Sequence, residues 1–419
     1  MKLHWQILIA LACSVVVGSF TTSINASFGV NLIPIFEFFG ALFLNALKMI
    51  IVPLIISSII VGIASIEQDG SFARMGSKTL LYYVATSTIA IMIGLVMVMV
   101  FQPGLIDGVP AKEVLGLHAD TAAVTQKVGD ASTGDIVGIF LRMIPPNIIN
   151  AAAQGQMLGL IFFSLLFGYF IAQLKSEQKS TMRNFFEGMF EVMMKMTDLV
   201  MRFAPIGVFA LVAKIVATSG IGVFAPLAKF FFVVLAALAI HMFVVMPILL
   251  RVIARVRPVK HFQAMFPAIL TAFSTSSSSA TLPVTLDCVE DRAGVSNKTS
   301  SFVLPLGATI NMDGTALYEC VAALFIAQAY GLELGFAEQF TVVMLALMTS
   351  IGVAGIPAAS LVAITIILAA MGLPLEGIGL ILAVDRVLDM CRTAVNVFSD
   401  SCGAVIVARS EGEQTSLVN

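Results

Sequence analysis

The chain has 419 residues, of which 59% are hydrophobic and 11% charged, and its formal net charge is −2. A mean hydropathy of +1.00 is typical of a membrane protein and excludes a soluble globular domain. The near-neutral charge gives no basis for nucleic-acid binding. Five scattered cysteines without a CxxC pair argue against a disulfide framework or a zinc site.

Long apolar runs in the first 255 residues predict six transmembrane helices. The first run reads as a helix rather than a signal peptide, because it lacks a clear small-residue cleavage site and another span follows. The Pro145-Pro146 pair predicts a broken fourth helix, and residues 175–190 read as a polar, basic connection. The predicted spans are about 5–25, 34–66, 79–102, 150–174, 192–218 and 222–253.

Beyond residue 255, shorter apolar pieces are divided by serine, glycine and proline. The stretches AILTAFSTSSSSATLPVTL (268–286) and SIGVAGIPAAS (350–360) predict two re-entrant hairpins. Each is followed by a helix with polar residues, 299–330 and 376–408, which suits an inverted repeat. The predicted fold class is therefore an all-α polytopic membrane protein with eight transmembrane helices and two re-entrant hairpins.

Basic residues of the connections collect on one side of this topology. The positive-inside rule makes that side cytoplasmic, with both termini on it, in a multi-pass protein of the cell (inner) membrane. The serine hairpin then enters from the cytoplasm and the second hairpin from outside. The basic residues are Lys2, Arg74, Lys78, Lys175, Lys179, Arg183, Arg251, Arg255, Arg257, Lys260, Arg292 and Lys298.

The last span carries a polar stripe. At about 100° per residue, six polar side chains fall on one face about 100° wide. Charges within a membrane helix are costly and normally face a bundle interior or a solute path. A self-satisfied stripe, with Asp389 and Arg392 paired at i, i+3, is the alternative. The six residues are Asp385, Asp389, Arg392, Thr393, Asn396 and Asp400.

Three other polar groups lie in apolar surroundings. The segment TINMDGT (309–315) predicts an unwound helix whose carbonyls, with Asn311 and Asp313, suit Na⁺; a simple turn is the alternative. The serines of 274–279 suit a carboxylate at a hairpin tip, or else form a flexible linker. Tyr83, Thr86 and Ser87 share a helix face but form a weak signal alone. His241, the histidine within a long apolar run, reads as a hydrogen-bonded packing residue rather than a ligand.

Acidic residues outnumber basic ones in this region. Five carboxylates face two bases, Arg386 and Arg392, and burying such a surplus without compensation is prohibitive. The deficit implies bound cations or protons, linked to any anionic substrate. The carboxylates are Asp313, Glu319, Asp385, Asp389 and Asp400.

Several motifs make the chain resemble the glutamate transporter family, the dicarboxylate/amino acid:cation symporters. The likeness covers residues 6–409. Its motifs are TSSSSATLPVT (275–285), LPLGATINMDGTALYE (304–319), SIGVAGIP (350–357), DRVLDMCRTAVNVFSD (385–400), KMIIVPLIISSI (48–59) and YYVATS (82–87).

The resemblance implies a homotrimer in the lipid bilayer whose transport domain slides past a scaffold, an elevator motion. The implied parts are scaffold helices one and two (5–78), transport-domain helix three (79–102), an extracellular loop with scaffold helices four and five (103–220), transport-domain helix six (221–257), the first hairpin (258–298), unwound helix seven (299–330), the second hairpin (335–373), helix eight (374–410) and a cytoplasmic tail (411–419).

The resemblance also implies that the chain imports glutamate or aspartate. Arg392 would pair with the substrate side-chain carboxylate, Asp389 would accept the ammonium group, and Asp389 thereby favours an amino acid over a plain dicarboxylate. The remaining implied substrate residues are Ser276, Ser277, Ser278, Thr315, Gly355, Ile356, Thr393 and Asn396.

Three sodium sites are implied in the same way, with Na⁺ as the transported coupling ion and no prosthetic group. One uses Gly307, Asn311, Asn396 and Asp400. A second uses Thr309, Met312, Ser350, Ile351 and Val353, and a third uses Tyr83, Thr86, Ser87, Asn311 and Asp313. Three Na⁺ with a substrate of charge −1 would move a net charge of +2, worth about 4.6 kcal/mol per 100 mV.

Two departures from the family pattern lead to hypotheses. Relatives carry an arginine just before the serines or at the position of Met390, and here Arg386 would substitute for it. Glu319 stands where sodium-only archaeal members have glutamine and proton-coupled members have glutamate, so we expect a proton to be carried as well. A carboxyl that is merely hydrogen-bonded is the alternative.

Other function classes fit less well. A proton-driven glutamate or C4-dicarboxylate symporter without Na⁺ dependence is the nearest alternative. An intramembrane protease is disfavoured, because Asp385 and Asp389 lie on successive turns of one helix and no base partners the serines. A channel is disfavoured by Arg392 in the path. We therefore predict a transporter and no enzyme.

Overall fold

A computed structural model describes residues 3–28, 31–64, 70–115, 141, 143–154, 156–220, 222, 224–352 and 359–418. Almost all of these residues are helical. Helices satisfy their backbone hydrogen bonds internally, as a chain in hydrocarbon requires. The prediction of a helical membrane fold is thereby confirmed at this level.

The first three helices are long and apolar. They are α1 (Leu3–Phe28), α2 (Ile33–Ala64) and α3 (Gly70–Phe101). The predicted start of the third span at residue 79 is wrong, because the helix begins at Gly70 and includes a polar first part. A short antiparallel pair, β1 (Leu105–Ile106) with β2 (Val109–Pro110), and α4 (Ala111–Leu115) follow.

The middle of the chain corrects another prediction. After α5 (Ile148–Ala153) and α6 (Met157–Ala172), the helix α7 runs over Ser176–Arg202. Residues 175–190 are therefore not a connection, and the fifth span does not begin at 192. The polar residues of α7 lie on one face of an amphipathic helix. A bend of 51° then leads into α8 (Ala204–Ser219), where Pro205 occupies the first turn.

The second half supplies the interrupted elements. Helix α9 (Phe224–Ala254) contains π-helical turns at His241–Val245 and Leu250–Ala254. The first hairpin consists of α10 (Pro258–Thr275) and α11 (Ser278–Asp287). The rest is α12 (Asn297–Ile310), α13 (Asp313–Ala329), α14 (Phe336–Gly352), α15 (Ala359–Met371) and α16 (Ile378–Ser410).

The helices pack in two groups. Helices α1, α2, α6, α7 and α8 contact one another, while α3 and α9 to α16 form the other group around α13 and α16. The groups meet where α8 contacts α16 and where α2 and α6 contact α14 and α15. Among the described residues, four helices are long and apolar enough to cross a membrane, or five if the bent pair α7–α8 counts as one span. Helix α13 is almost wholly buried, because it lies at the centre of the second group.

The C-terminal segment, residues 411–418, is held against the second group. Glu411 accepts from Arg74 and Lys78 of α3 at 2.6 and 2.5 Å. Glu413 accepts from the backbone N–H and the hydroxyl of Ser296, the N-cap of α12, at 3.0 and 2.8 Å. Leu417 is buried, and its carbonyl accepts from the Arg257 N–H at 3.1 Å. This segment therefore joins α3 to the N-terminal ends of the first hairpin and of α12.

We expect this attachment to loosen in acid. Hydrogen bonds from Lys78 and Arg74 hold the pKa of Glu411 below its usual 4.5. A carboxyl whose folded-state pKa is lowered stabilises the fold above its ordinary pKa and stops doing so as the pH falls through the lowered value. Hydrogen exchange of residues 411–418, corrected for intrinsic rates, should lose protection as the pH falls from about 5 to 3.

The variant Glu411→Gln tests the cause. Its amides in residues 411–418 should exchange faster than in the unsubstituted protein at pH 6 and should show a weaker pH response. Glu191→Gln, at an exposed position of α7, serves as the control. An unaltered exchange profile in Glu411→Gln would contradict this role of the two ion pairs.

Candidate substrate and cation site

The polar stripe of α16 lies where the first hairpin, the broken helix α12–α13 and the continuous helix α3 meet. Helix α16 packs against α10 of the first hairpin, against α12 and α13, and against α3. Of the stripe residues, Asp385, Arg392, Thr393, Asn396 and Asp400 are buried. Their shared face is turned inward because α16 is surrounded on that side, which is where charges within a membrane helix are normally found.

Arg392 is the most strongly held of these residues. Its side chain is 1% exposed, and its Nη1 donates to Asp385 Oδ1 at 3.0 Å. Its Nη2 donates to Asp389 Oδ1 at 2.9 Å and to Ser360 Oγ of α15 at 2.8 Å. The guanidinium carbon lies 3.8 Å from the centroid of the Tyr318 ring, a cation–π contact. The Nε group has no partner among the described residues and is the donor still available.

Asp389 is bound by two guanidinium groups. Its Oδ1 accepts from Arg392, and its Oδ2 accepts from Arg386 Nη1 at 3.2 Å. The i, i+3 pairing of Asp389 with Arg392 that the sequence offered as an alternative is therefore present. Asp385 in turn accepts from Arg392, which lies two turns further along the helix.

Asn396 joins α16 to the start of α13. Its Oδ1 accepts from the Gly314 N–H at 2.8 Å, and its Nδ2 donates to Thr315 Oγ1 at 3.0 Å. A Cβ at Gly314 would lie 2.8 Å from the Arg392 carbonyl oxygen, so this contact needs glycine. Thr393 instead donates to the Asp389 carbonyl of its own helix at 2.8 Å.

The first hairpin turns at its serines. Ser276 has a φ of 51°, in the left-handed region, and its buried Oγ has no partner among the described residues. Ser277 caps α11 by accepting from the Ala280 N–H at 3.2 Å. Ser278 is buried in the first turn of α11. The tip thus presents a hydroxyl and a helix N-terminus, the usual donors to an anion.

Asp313 is the centre of a second polar cluster. It starts α13 after the break at Asn311 and Met312, where its negative charge faces the helix N-terminus favourably. Its Oδ1 accepts from Ser87 at 2.6 Å and from Thr86 at 3.3 Å. Its Oδ2 accepts from Ser399 at 2.6 Å and lies 3.0 Å from His241 Nε2. This buried carboxylate has no lysine or arginine partner among the described residues.

A third cluster lies one turn away. Asn311 Nδ2 donates to Asp400 Oδ1 at 2.9 Å, while its Oδ1 has no partner among the described residues. Tyr83 donates to the Val303 carbonyl at 2.7 Å. Gly307 lies between Asp400 and Tyr83, and this close approach leaves no room for a side chain. An unpartnered carbonyl oxygen beside a buried carboxylate is the kind of donor set that a hard cation uses.

Gly307→Ala should therefore damage this third cluster. The added Cβ would lie 2.6 Å from Asp400 Oδ1 and 2.7 Å from the Tyr83 hydroxyl, so both must move. We expect a stability loss of about 1–3 kcal/mol, as for other overpacked sites. Thermal unfolding measures it, with Gly188→Ala as the control, because a Cβ there meets no atom within 4 Å. Equal stability of the two variants would contradict the close approach.

The chain matches a known protein family over nearly its whole length. The sequence pattern of the "Sodium:dicarboxylate symporter family" covers residues 3–410. The chain belongs to the sodium:dicarboxylate symporter family. Among its curated relatives, the "Proton/glutamate-aspartate symporter" of Escherichia coli is 35% identical over 98% of this chain and 93% of its own length. The "Proton/sodium-glutamate symport protein" of Geobacillus stearothermophilus is 36% identical over 98% and 95%.

Animal members of the sodium:dicarboxylate symporter family are similarly close. The mouse "Excitatory amino acid transporter 3" is 36% identical over 89% of this chain and 79% of its own length. The members of this family are membrane transporters, which agrees with the prediction of a transporter rather than an enzyme. The resemblance drawn from the motifs is thereby confirmed.

The structure of this symporter describes only some of the remaining predicted site residues. Thr309 is exposed, and its hydroxyl donates to the Leu306 carbonyl of its own helix at 2.9 Å. Met312 and Ser350 are buried, and Ile351 lies in the last turn of α14. Val353, Gly355 and Ile356 lie outside the described residues. Fewer contacts are therefore described for the second implied sodium site than for the other two.

Glu319 lies in the middle of α13 and is fully buried. Its Oε2 accepts from Thr349 of α14 at 2.7 Å, and its Oε1 has no partner among the described residues. No lysine or arginine pairs with it in the described part of the chain. A carboxyl placed in this way fits a proton-binding group, whereas a purely structural residue would have both oxygens satisfied.

Four partners of this site were missed by reasoning from the sequence. Ser360 and Tyr318 hold Arg392, and Ser399 and His241 hold Asp313. A serine in an apolar helix gives a weak signal, because it usually bonds back to its own helix. His241 was placed among hydrogen-bonded packing residues, but no pattern within α9 indicates that its partner lies 72 residues away.

Proposed function

We propose that this symporter imports glutamate or aspartate together with sodium ions, about three per substrate, and a proton on Glu319. Arg392 would bind the side-chain carboxylate of the substrate, Asp389 its ammonium group, and Ser276 to Ser278 its α-carboxylate. The observation that carries this proposal is the buried guanidinium of Arg392, paired with Asp385 and Asp389, on the same helix face as the buried Asp400. The names of the relatives support the substrate class.

Charge explains why cations would be coupled to the substrate. The charges of Arg392 and Arg386 balance those of Asp385 and Asp389. Among the described residues, no lysine or arginine forms an ion pair with Asp313, Asp400 or Glu319. Burying unpaired carboxylates is costly, so cations or protons that neutralise them stabilise the loaded form. The hydroxyl groups of Thr86 and Ser87 and the amide oxygen of Asn311 would supply further ligands for sodium.

The larger-scale features belong to the same proposal. The chain would form a homotrimer in the cell membrane, with both termini in the cytoplasm. Helices α1, α2 and α6 to α8 would be the scaffold, and α3 with α9 to α16 would move as the transport domain. The packing into two groups supports this division, since the helices contact one another more extensively within each group than between the groups.

A proton-driven carrier of glutamate or C4-dicarboxylates without Na⁺ dependence is the second candidate. It is favoured by the name of the Escherichia coli relative, which mentions protons and no sodium. Uptake of radiolabelled glutamate, aspartate and succinate into proteoliposomes separates the two. We expect uptake of the two amino acids only with an inward Na⁺ gradient, enhanced by an acidic exterior. Uptake driven equally well without Na⁺ would favour the second candidate.

Glu319→Gln tests whether Glu319 binds the coupled proton. Glutamine has the shape of the neutral carboxyl, so the variant should keep Na⁺-driven uptake and lose most of its dependence on external pH between about 6 and 8. The uptake rate at each pH, relative to the unsubstituted protein, is the measurement. Glu191→Gln on the exposed face of α7 is the matched control. A pH profile that is the same in both variants would remove Glu319 from the coupling mechanism.

A further inference from the structure

Both oxygens of Asp389 are already paired with guanidinium groups. Arg392 Nη2 lies 2.9 Å from Oδ1, and Arg386 Nη1 lies 3.2 Å from Oδ2. The two arginines already neutralise Asp385 and Asp389, so a substrate ammonium that joined both of them would bring a third positive charge to two negative charges. Like charges at such distances repel strongly where solvent is limited. An ammonium group therefore reaches Asp389 by replacing one of the two guanidinium groups.

Arg392 is not the group to be replaced. Its side chain is 1% exposed, and it also donates to Asp385 and Ser360 while it lies over the Tyr318 ring. Moving it would leave Asp385 buried without a cation. Loss of one partner from a buried pair is strongly unfavourable.

Arg386 is held far less tightly. Its side chain is 23% exposed, and among the ion pairs of the described residues it takes part only in the one with Asp389. Solvent can hydrate its guanidinium after release, so the exchange leaves no buried charge unpaired. A partly exposed i, i+3 pair of this kind is weaker than a fully buried one.

We propose that Arg386 determines substrate specificity by acting as an internal cation on Asp389, which the ammonium group of an amino-acid substrate replaces. This inference rests on the proposed function and adds a competitor to it. A dicarboxylate such as succinate has no ammonium group, so it binds with Arg386 still in place to neutralise Asp389. Arg386 therefore weakens binding of acidic amino acids and assists binding of dicarboxylates, and it sets the ratio between the two classes.

Arg386→Gln tests this role in the full-length protein in proteoliposomes. The KM for glutamate and aspartate should fall about fivefold, because the competing cation is gone while Asp389 remains. The concentration of succinate that inhibits this uptake by half should rise relative to the KM. Arg386→Lys should restore the original KM, because lysine retains the positive charge.

Two comparisons separate competition from a structural effect. Arg183→Gln breaks an exposed i, i+4 pair with Glu187 on α7 and should leave the KM unchanged. In an Asp389→Asn background, adding Arg386→Gln should bring no further gain in apparent affinity, since the shared carboxylate is gone.

The outcomes are distinct. Amino-acid uptake with a KM that is unchanged or raised in Arg386→Gln overturns the inference and leaves the proposed function standing. A KM that falls equally in the Asp389→Asn background also overturns it, because the effect would not pass through Asp389. Absence of glutamate and aspartate uptake by the unsubstituted protein overturns the proposed function, and this inference with it.

Discussion

Arg392→Gln is expected to abolish measurable transport and to lower the stability of the folded protein by about 3–5 kcal/mol. The substitution leaves Asp385 and Asp389 without the guanidinium that binds both at 3.0 and 2.9 Å. It also removes the group proposed to bind the substrate side chain, so affinity should fall by about two orders of magnitude or more. Radiolabelled uptake and thermal unfolding of the purified protein measure the two effects.

A double variant separates the two effects of this loss. Adding Asp385→Asn to Arg392→Gln removes one unpaired carboxylate and should recover part of the stability, with transport still absent. Recovery of transport in the double variant would show that Arg392 balances charge and does not bind substrate. Arg183→Gln, at an exposed position of α7, should change neither measurement.

Asp313→Asn is expected to raise the Na⁺ concentration for half-maximal uptake about tenfold or more. The carboxylate accepts from Ser87, Thr86 and Ser399, and one amide oxygen cannot replace two carboxylate oxygens. A charge-assisted contact is worth about 1.5–3 kcal/mol, which corresponds to at least a tenfold change. Uptake of glutamate at graded Na⁺ concentrations provides the measurement.

Asp198→Asn, at an exposed position of α7, is the control for this prediction. Ser87→Ala removes one donor from Asp313 without changing the charge, so it should shift the Na⁺ requirement in the same direction by a smaller factor. An unaltered Na⁺ requirement in Asp313→Asn would exclude this carboxylate from cation binding.

Local patterns were enough to predict several parts of this molecule. The stripe of α16 follows from helical spacing alone, and the break at Asn311 and Met312 follows from polar residues and Gly314 in an apolar segment. The serine tip follows from residues that prefer helix N-termini. In each case the signal lies within about twenty residues, where backbone geometry decides the outcome.

Other parts depend on contacts between distant segments. Helical spacing allows Arg392 to reach Asp389 or Asp385, and the side chain binds both because Ser360 and Tyr318 fix its position. The pairing of His241 with Asp313 depends on how α9 packs beside α13. The early start of α7 was missed because its polar residues suggested a connection, whereas an amphipathic helix needs only one apolar face.

The C-terminal segment limits how the site can open. Through Glu411 and Glu413 it ties α3 to the N-terminus of α12, and through Leu417 it ties both to the start of the first hairpin. Moving that hairpin away from the segment would break the hydrogen bond from the Arg257 N–H to the Leu417 carbonyl and would uncover Leu417. The C-terminal segment therefore opposes a movement of the first hairpin relative to α3 and α12, but not a movement of these elements together.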